Sequence, residues 1–240
     1  MRSIALHSRR FCMCGRFALE TDLEAIYEQF GIKDTITLPA SYNIAPTEQA
    51  LCVKKAEGGL IALTMKWGIT PWYSRGKARP KLLINARAES IASKPTFRQS
   101  LKYRRCLLIM SGFFEWQDQS KNLKIKQPYY FKREDNKLMA VAAVYDNERM
   151  TDGKVIPSCC LLTTEANEIV GKLHDRMPWL LTENQQKQWL LEQVFDEHSL
   201  KKMIKERGNI PLTLYPVTPN VNSALYKESD CISSIDGTTP

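Results

Sequence analysis

The stretch Cys106-Leu107-Leu108-Ile109-Met110, which one serine separates from Gly112-Phe113-Phe114-Glu115-Trp116, indicates how this chain folds. An apolar run without alternation is typical of a strand that is covered on both faces. The second run places the carboxylate of Glu115 between two aromatic residues, directly after that buried strand. Such a carboxylate is either paired or has a raised pKa, which suits a general acid or base. The alternative is simple alternation, in which Glu115 faces solvent.

Outward from this stretch, the sequence predicts several more short strands and only a few helices. Two of the strands are joined by Glu57-Gly58-Gly59, which is a hairpin signal. Capping boxes at Thr21 and Thr182 each begin a predicted helix. We predict strands at residues 50–54, 60–67, 82–84, 106–110, 129–132, 138–145, 158–163 and 212–217, helices after Thr21, Thr182 and Ser199 and from Thr164 to His174, and a loop at 39–46.

This order of elements predicts the α+β class. We expect a single domain with a curled, mostly antiparallel, open-barrel-like sheet and peripheral helices. Residues 14–232 are assigned to the domain, residues 1–13 to a leader or a mis-assigned start, and residues 233–240 to a loose tail. A chain of 240 residues is long enough to build one core, since about 70% of its unfolded surface can be buried.

The composition is that of an ordinary globular protein with a basic balance. A formal net charge of +8 attracts polyanions such as nucleic acid, although the same charge also serves solubility. The seven cysteines include no C-x-x-C pair, which argues against zinc, and most lie in apolar stretches typical of reduced core cysteines. No apolar run reaches the ~20 residues of a membrane-spanning helix. We therefore expect no metal, no other cofactor and no membrane, in a reducing compartment.

The dipeptide Met13-Cys14 carries the most specific chemistry in the chain. If translation starts at Met13, or if residues 1–13 are removed, Cys14 has a free α-amine beside its thiol. With a pKa of about 8 for the amine and about 8.5 for the thiol, both are partly reactive near neutral pH. The amine can attack an aldehyde, and the thiolate can then close a thiazolidine ring. The alternative is that Cys14 is a small buried residue at the start of a strand.

Three further segments hold polar or aromatic side chains where chemistry can be placed. Asn85 and Arg87 alternate at a strand end and so share one face, as in any half-exposed strand. His174 ends a predicted helix, where the macrodipole favours its cation, or where it serves only as a cap. Trp116 can stack on a nucleobase if it is exposed, although an aromatic residue is more often part of a core.

Seven blocks of the chain, taken in order, resemble one protein family. They are Met-Cys-Gly-Arg-Phe at 13–17, Tyr-Asn-Ile-Ala-Pro-Thr at 42–47, Trp-Gly-Ile at 67–69, Asn-Ala-Arg-Ala-Glu at 85–89, Gly-Phe-Phe-Glu-Trp at 112–116, Leu-Leu-Thr-Thr-Glu-Ala-Asn at 161–167 and His-Asp-Arg-Met-Pro at 174–178. This pattern resembles the SRAP family, the SOS-response-associated peptidases or abasic site processing proteins. Each block alone is weak, but their common order is specific.

The resemblance implies an enzyme that senses abasic sites in single-stranded DNA and forms a thiazolidine DNA–protein crosslink, by Schiff-base chemistry, that shields the lesion. It implies that Cys14 is the nucleophile and Glu115 the acid or base in sugar ring opening and imine formation. It further implies that His174 assists ring opening and that Asn85 positions the amine. The residues implied in DNA contact are Arg16, Pro46, Arg87, Trp116, Thr163 and Arg176.

The resemblance also implies replication-fork DNA as the partner, a monomeric protein, and a bacterial cytoplasm or nucleoid, with a eukaryotic nucleus as the alternative. One departure matters, because residues precede Met13 here, and Cys14 as written has no free α-amine. A different start at Met13 or cleavage would expose it. The family has been proposed to act as a peptidase on its own leader, which fits the second route.

Two other functions remain open on the sequence. Glutamine amidotransferases of the N-terminal-nucleophile type also begin with Met-Cys-Gly and use the cysteine on an amide, but that interpretation leaves Asn85, Glu115 and His174 without roles. A binding module that only coats single-stranded DNA would need the basic charge and the aromatic residues, and would not need Cys14.

Overall fold

The computed structural model describes residues 14–20, 23–32, 40–117, 126–149, 153–193 and 195–237. Within them the chain forms twelve strands and four α-helices, connected by short 3₁₀ turns. In chain order these are β1 (Phe17–Leu19), α1 (Leu23–Phe30), β2 (Ser41–Ile44), β3 (Gln49–Ala56), β4 (Gly59–Trp67), β5 (Asn85–Arg87), α2 (Pro95–Tyr103), β6 (Arg105–Met110), β7 (Gly112–Gln117), β8 (Gln127–Arg133), β9 (Met139–Arg149), β10 (Val155–Glu165), β11 (Arg176–Pro178), α3 (Glu183–Leu191), α4 (Glu197–Lys205) and β12 (Leu212–Pro216).

The larger sheet is a closed ring with two short additions. Its strands follow the order β11-β10-β4-β3-β6-β9, and β9 pairs again with β10, so five of them form a barrel. Strand β10 also pairs with β5 in parallel, from Leu161 with Asn85 to Thr163 with Arg87. The α+β class and the barrel-like, mostly antiparallel sheet are confirmed, and the ring is closed where the sequence predicted an open one.

A second, five-stranded sheet follows the order β12-β8-β7-β1-β2, and all its pairings are antiparallel. Only Ser111 separates β6 of the barrel from β7 of this sheet, so the two runs that open the sequence analysis connect the two sheets. Phe17 pairs with Phe113, and Phe113 pairs with Phe131. Because β1 pairs with β7, Cys14, which precedes β1, lies against Glu115.

Several predicted elements have different bounds in the structure. The predicted loop at 39–46 contains β2, an edge strand that pairs only with β1 through an irregular register. The predicted helix from Thr164 is absent from the described residues: β10 continues to Glu165, Thr164 pairs with Met177, and only the 3₁₀ turn Val170–Lys172 is helical. The loss of this helix is explained by β11, which offers β10 a strand partner.

The capping predictions have mixed outcomes. Thr182 and Gln185 form the predicted capping box of α3. Helix α4 begins earlier than predicted, because Asp196 and not Ser199 caps it. Helix α1 is present as expected, while its predicted cap Thr21 lies outside the described residues, as do residues 1–13. Of the predicted loose tail, Ser234 pairs with Val217 and the backbone N–H of Ile235 bonds to Pro216, so this part is fixed against β12.

The core is continuous through the barrel and the helices that cover it. Three tryptophans, Trp67, Trp179 and Trp189, are fully buried in it. The cysteines at 52, 106, 159 and 160 are buried as predicted, and burial raises the pKa of the Cys106 and Cys160 thiols, which makes them poor nucleophiles. No helix in the described part of the chain is long and apolar enough to cross a membrane.

Candidate active site

Cys14 and Glu115 are in direct contact. The backbone nitrogen of Cys14 donates to Oε1 of Glu115 at 2.7 Å, and both residues are buried. The contact exists because β1 pairs with β7, so that two residues 101 positions apart in sequence lie side by side. Cys14 has a φ of +40°, a backbone conformation that costs energy for a residue other than glycine. The contact between a nitrogen and a carboxyl is thus held at a strained turn, as is common at functional sites.

The environment of Glu115 gives this carboxyl an unusual pKa. Burial is the largest influence and raises the pKa of Glu115 to about 7. The negative charge of Asp175 raises it further, while the hydrogen bonds from the backbone N–H groups of Cys14 and Trp116 oppose the rise. A carboxyl with a pKa near neutral can both give and take a proton under physiological conditions. The paired or perturbed carboxyl expected from the sequence is therefore present, and simple solvent exposure is not.

Asn85 reaches the same point from the barrel. It begins β5, and its Nδ2 donates to the carbonyl oxygen of Cys14 at 3.5 Å. The alternation expected at this strand end is seen, since Ala86 is buried while Arg87 is exposed. Arg87 therefore lies on the same strand as Asn85, with its guanidinium available to solvent. Glu115 of the second sheet and Asn85 of β5 thus both contact the backbone of Cys14, and these contacts define the site.

The turn at His174 and Asp175 completes the polar surroundings. Nδ1 of His174 lies 3.0 Å both from the backbone nitrogen of Arg176 and from Oδ1 of Asp175. A neutral Nδ1 accepts from the Arg176 N–H, whereas a protonated Nδ1 donates to the Asp175 carboxylate, so the imidazole has a partner in either protonation state. Because the charge of Asp175 acts on Glu115, this turn is electrostatically coupled to the carboxyl at Cys14. The predicted helix end at His174 is a turn after 3₁₀ structure instead.

Two residues expected to contact DNA are buried and serve the fold. Arg176 donates to both carboxylate oxygens of Glu89, at 2.8 and 2.7 Å, and to the carbonyl oxygen of Thr163 at 2.7 Å. Thr163 has no solvent exposure, and Arg176 retains 7%. In this position both side chains are used mainly within the fold. The ion pair instead ties β11, which carries the His174 turn, to the segment that follows Asn85 and Arg87.

Arg16 and Trp116 border the site and hold a loop that the sequence analysis did not assign to it. Nη1 of Arg16 donates to the carbonyl oxygen of Val221 and to Asn43, each at 2.8 Å. Nε1 of Trp116 donates to Oδ1 of Asn222 at 2.8 Å, and both Arg16 and Trp116 are only half-buried. The Arg16 guanidinium therefore donates to the loop that carries Val221 and Asn222.

Asn43 is the functional-site neighbour that sequence reasoning missed. It is fully buried, and its Nδ2 donates to carbonyl oxygens of Val221, Ser223 and Tyr226. A buried amide that bonds three carbonyls of one loop fixes that loop beside Arg16 and Trp116. The only sequence signal was an asparagine within the block at 42–47, where a loop was expected.

Pro46 lies in the turn after β2 and is partly exposed, so a contact with a ligand is open to it. The next residue, Thr47, has a φ of +79°, which is rare for a β-branched residue. Its backbone N–H bonds to the carbonyl oxygen of Trp67 at 2.8 Å. Within the described residues, no cluster of three or more His, Cys, Asp or Glu side chains is arranged to hold a metal ion.

Comparison with known proteins identifies the family of this chain. The family model described as SOS response associated peptidase (SRAP) matches residues 13–224. This chain belongs to the SRAP family. It is 31% identical over 225 residues to the abasic site processing protein YoqW of Bacillus subtilis, with 92% of this chain and all of that protein covered. It is 28% identical over 206 residues to the abasic site processing protein HMCES of Mus musculus, covering 73% of this chain and 57% of HMCES.

Solved structures support the fold. A crystal structure of a Bacteroides thetaiotaomicron protein superposes with a TM-score of 0.76 at 19% sequence identity, covering 92% of this chain and 99% of the other. One from Bordetella bronchiseptica gives a TM-score of 0.71 at 21% identity, covering 85% of this chain and all of the other. At these identities the likeness concerns the SRAP fold alone.

Proposed function

We propose that this protein recognises abasic sites in DNA and captures the sugar aldehyde with Cys14, forming a thiazolidine crosslink that protects the lesion. The observation that carries the proposal is the 2.7 Å contact between the Cys14 nitrogen and the buried carboxyl of Glu115. This contact sets a proton donor and acceptor on the atom that must attack the aldehyde. The names of the relatives, abasic site processing proteins, support the substrate.

The covalent step needs two bonds to the aldehyde carbon. The free α-amine of Cys14 adds to the aldehyde, and loss of one water gives an iminium ion. The thiolate then adds to that carbon, the C–S bond forms, and the nitrogen keeps one hydrogen. Glu115, whose burial favours its protonated form, takes the proton that the attacking amine releases and gives a proton to the departing hydroxyl. The net change is aldehyde plus aminothiol to thiazolidine plus water, and no oxidant or metal takes part.

The neighbours of this pair have supporting roles. Asn85 holds the Cys14 carbonyl oxygen and so fixes the direction in which the amine points. The contacts of His174 Nδ1 with the Arg176 N–H and the Asp175 carboxylate hold the imidazole in place, which suits assistance in opening the sugar ring. Reversal of the crosslink uses the same proton transfers in the opposite order.

Cys14 must lose the peptide bond on its amino side before it can react. In hydrolysis of the bond between Met13 and Cys14, the departing group is the Cys14 nitrogen. Glu115 already contacts this nitrogen at 2.7 Å and is therefore positioned to protonate it. The same carboxyl would support removal of the preceding residues and the later crosslink, which fits a peptidase that acts on its own leader. A translation start at Met13 would make this step unnecessary.

The partner in this proposal is single-stranded DNA at replication forks, bound by a monomer. Arg87, exposed beside Asn85, supplies a phosphate contact, and the half-exposed Trp116 offers a ring on which an unpaired base stacks. The reduced, buried cysteines suit a reducing compartment, with the bacterial cytoplasm or nucleoid first and a nucleus second.

The test is an adduct assay with a chain that begins at Cys14 and an oligonucleotide carrying one abasic site. We expect a DNA adduct that survives denaturation without a reductant. The Cys14→Ala chain keeps its α-amine and serves as the matched control: it should give an adduct only after reduction of the Schiff base. An undiminished adduct from Cys14→Ala without reductant would overturn the mechanism. Binding without any adduct from the unaltered chain would favour a non-covalent DNA-binding module.

A further inference from the structure

The positive charge of this chain is concentrated in one continuous region. Residues 58–114 contain eleven Lys and Arg residues and a single acid, Glu89. The remaining residues then hold 23 bases against 25 acids, out of totals of 34 and 26. The net charge of +8 is therefore the sum of +10 in this region and −2 elsewhere. General solubility does not require such a division, whereas a binding surface for a polyanion does.

Four of these cations are used within the fold. Lys66 pairs with Glu148 at 2.7 Å, and Arg75 and Arg104 both pair with Asp146, at 2.9 and 3.3 Å. Arg105 is buried, donates to backbone carbonyls, and has its pKa lowered by burial to about 10. The shared Asp146 also joins the loop that carries Arg75 to the end of α2. Two stretches of the basic region thus lie next to each other.

The other cations are at the surface. Among the residues that the structure describes, none of them lies within ion-pair distance of a carboxylate, and all but the half-buried Lys102 are exposed. They are Lys77, Arg79, Lys81, Arg87, Lys94, Arg98 and Lys102. Three belong to α2 or cap it, and no acid is present between Lys94 and Arg105.

Helix α2 lacks the acidic residue that the other three α-helices have in their first turn. Acids in the first turn stabilise a helix and cations there destabilise it, by about 0.3–1 kcal/mol each. Helices α1, α3 and α4 carry Glu24, Glu183 and Glu197 in their first turns. Helix α2 has none, and its N-cap is Lys94, whose side chain makes no capping hydrogen bond. A local rule that is broken without a structural gain is expected where function requires it.

The chain path connects α2 to the active site. Strand β5, with Asn85 and Arg87, leads into the 3₁₀ turn Ala88–Ser93 and then into α2. The six residues of this turn span ~12 Å at most, and the nine residues of α2 span ~14 Å. Each of these lengths is spanned by a few nucleotides of DNA backbone. A DNA segment whose phosphate lies on Arg87 can therefore reach Lys94, Arg98 and Lys102.

We infer that the exposed face of α2 is a second DNA-binding surface, which holds the sugar–phosphate backbone of DNA flanking the captured nucleotide. Lys94, Arg98 and Lys102 contact phosphates without reading sequence, and Arg87 links this surface to the site. This inference rests on the proposed function for its polymer, DNA, but not on the covalent step. It predicts that affinity grows with the length of DNA beside the lesion.

The experiment compares two oligonucleotides, of ~5 and ~20 nucleotides, each with one tetrahydrofuran abasic analogue that has no aldehyde. Binding is measured as a function of salt for the unaltered chain and for the triple variant K94Q/R98Q/K102Q. We expect the log–log salt slope of the variant to fall by about 2 on the long oligonucleotide and to stay unchanged on the short one. A control triple variant, K55Q/K137Q/K202Q, removes the same charge from exposed lysines outside residues 58–114 and should keep the slope.

Each outcome decides the inference. Equal loss on both lengths, or an equal loss in the control triple, would overturn it, because the effect would then come from the site itself or from net charge. An unchanged slope on the long oligonucleotide would also overturn it. The crosslinking proposal is judged separately, by the adduct that each chain forms with the short oligonucleotide when it carries a true abasic site. An unchanged unfolding midpoint verifies that the triple variant is folded.

Discussion

Glu115 combines burial with a hydrogen bond to the residue that the chemistry requires. A carboxyl in this position is costly to ionise, so its proton is retained to a pKa of about 7, against about 4.3 in an unfolded chain. The native state therefore holds a proton that the unfolded chain has already released between these two values. It follows that the free energy of unfolding falls as pH rises through this window.

We predict that Glu115→Gln removes this dependence in a chain that retains residue 13. The stabilisation from the protonated carboxyl is present below pH ~4.3 and is lost as pH rises to about 7, with a total of about 4 kcal/mol. Urea unfolding of both chains at pH 5 and pH 8 measures the effect. Relative to the unaltered chain, the variant should have a higher free energy of unfolding at pH 8 than at pH 5. If the free energy of unfolding changed with pH equally in both chains, Glu115 would be ionised over the whole range, which would contradict the prediction.

Arg87 is the exposed cation nearest in sequence to Asn85, and we predict that Arg87→Ala weakens DNA binding uniformly across sequences. The log–log salt slope should become shallower by about one unit, because one phosphate contact is lost. Binding of an aldehyde-free abasic analogue across a salt series measures it, with Lys202→Ala as the control at an exposed position on α4. A slope that equals that of the control would remove Arg87 from the phosphate contacts.

Sequence reasoning located Asn85 and Glu115 because each is a polar residue where the pattern predicts burial, and Cys14 because it follows a methionine that can be a translation start. The structure brings these three together. The family resemblance implied DNA contacts for Arg176 and Thr163, and the structure shows both side chains bonded within the fold, where Arg176 pairs with Glu89. That ion pair joins segments 87 residues apart, so no local pattern reveals that the guanidinium is already occupied.

At the scale of single elements, the turn between β2 and β3 stores strain at Thr47. Its left-handed backbone costs a β-branched residue about 1–2 kcal/mol, and its side chain is exposed. Thr47→Gly should therefore stabilise the protein, by about 0.5–1 kcal/mol after the entropy cost of glycine. The urea midpoint measures this. Asn136→Gly is the control, since asparagine tolerates its φ of +56°, and an equal gain there would remove the strain explanation.

The start of β7 needs a glycine for a different reason. A Cβ atom added to Gly112 would lie about 2.3 Å from the carbonyl oxygen of Phe131 and 2.4 Å from Cζ of Tyr130. Both partners are buried, so Gly112→Ala should destabilise the fold by about 3 kcal/mol and displace the strand that carries Glu115.

The urea midpoint of Gly112→Ala, and its crosslink yield, measure this effect. Gly58→Ala, where an added Cβ meets nothing within 4 Å, should leave both unchanged. A Gly112→Ala chain of normal stability would mean that Tyr130 can move away from β7.

The predicted loop at 39–46 shows the limit of predicting secondary structure from local sequence. Two prolines bound the segment and its middle is polar, so local preference favours a loop, yet residues 41–44 pair with β1. The strand is stabilised by its pairing with β1 and by the hydrogen bonds of Asn43 to the loop after β12. Neither contribution is present in the local sequence.

For the whole molecule, the sequence predicted the α+β class and a curled sheet but not how the sheet closes. Closure depends on β10, whose eleven residues pair with β9 and then β11 along one side and with β4 and then β5 along the other. A long apolar strand in the sequence does not reveal how many partners it has. The resulting arrangement brings Asn85 of β5, which pairs with β10, and Glu115 of the second sheet to the backbone of Cys14.

The charge distribution is the second property of the whole chain that matters. Residues 58–114 surround the Asn85 strand in sequence and hold the entire positive balance. Asn85, which contacts Cys14, and the unpaired exposed cations are therefore encoded in one stretch, whereas Cys14, Glu115 and His174 lie outside it. The concentration of positive charge in residues 58–114 is visible in the sequence, but the use of four of these cations within the fold is not.

The most direct test of the central claim is the intact mass of the product formed with an abasic oligonucleotide. Two chains are compared, one that begins at Cys14 and one that keeps Met13 through a block to its removal. For the first, we predict a product whose mass is the sum of protein and DNA less one water, stable without reductant. For the second, we predict unmodified protein. A product of the same mass from the chain that keeps Met13 would contradict the account, because Cys14 would then have reacted without a free α-amine.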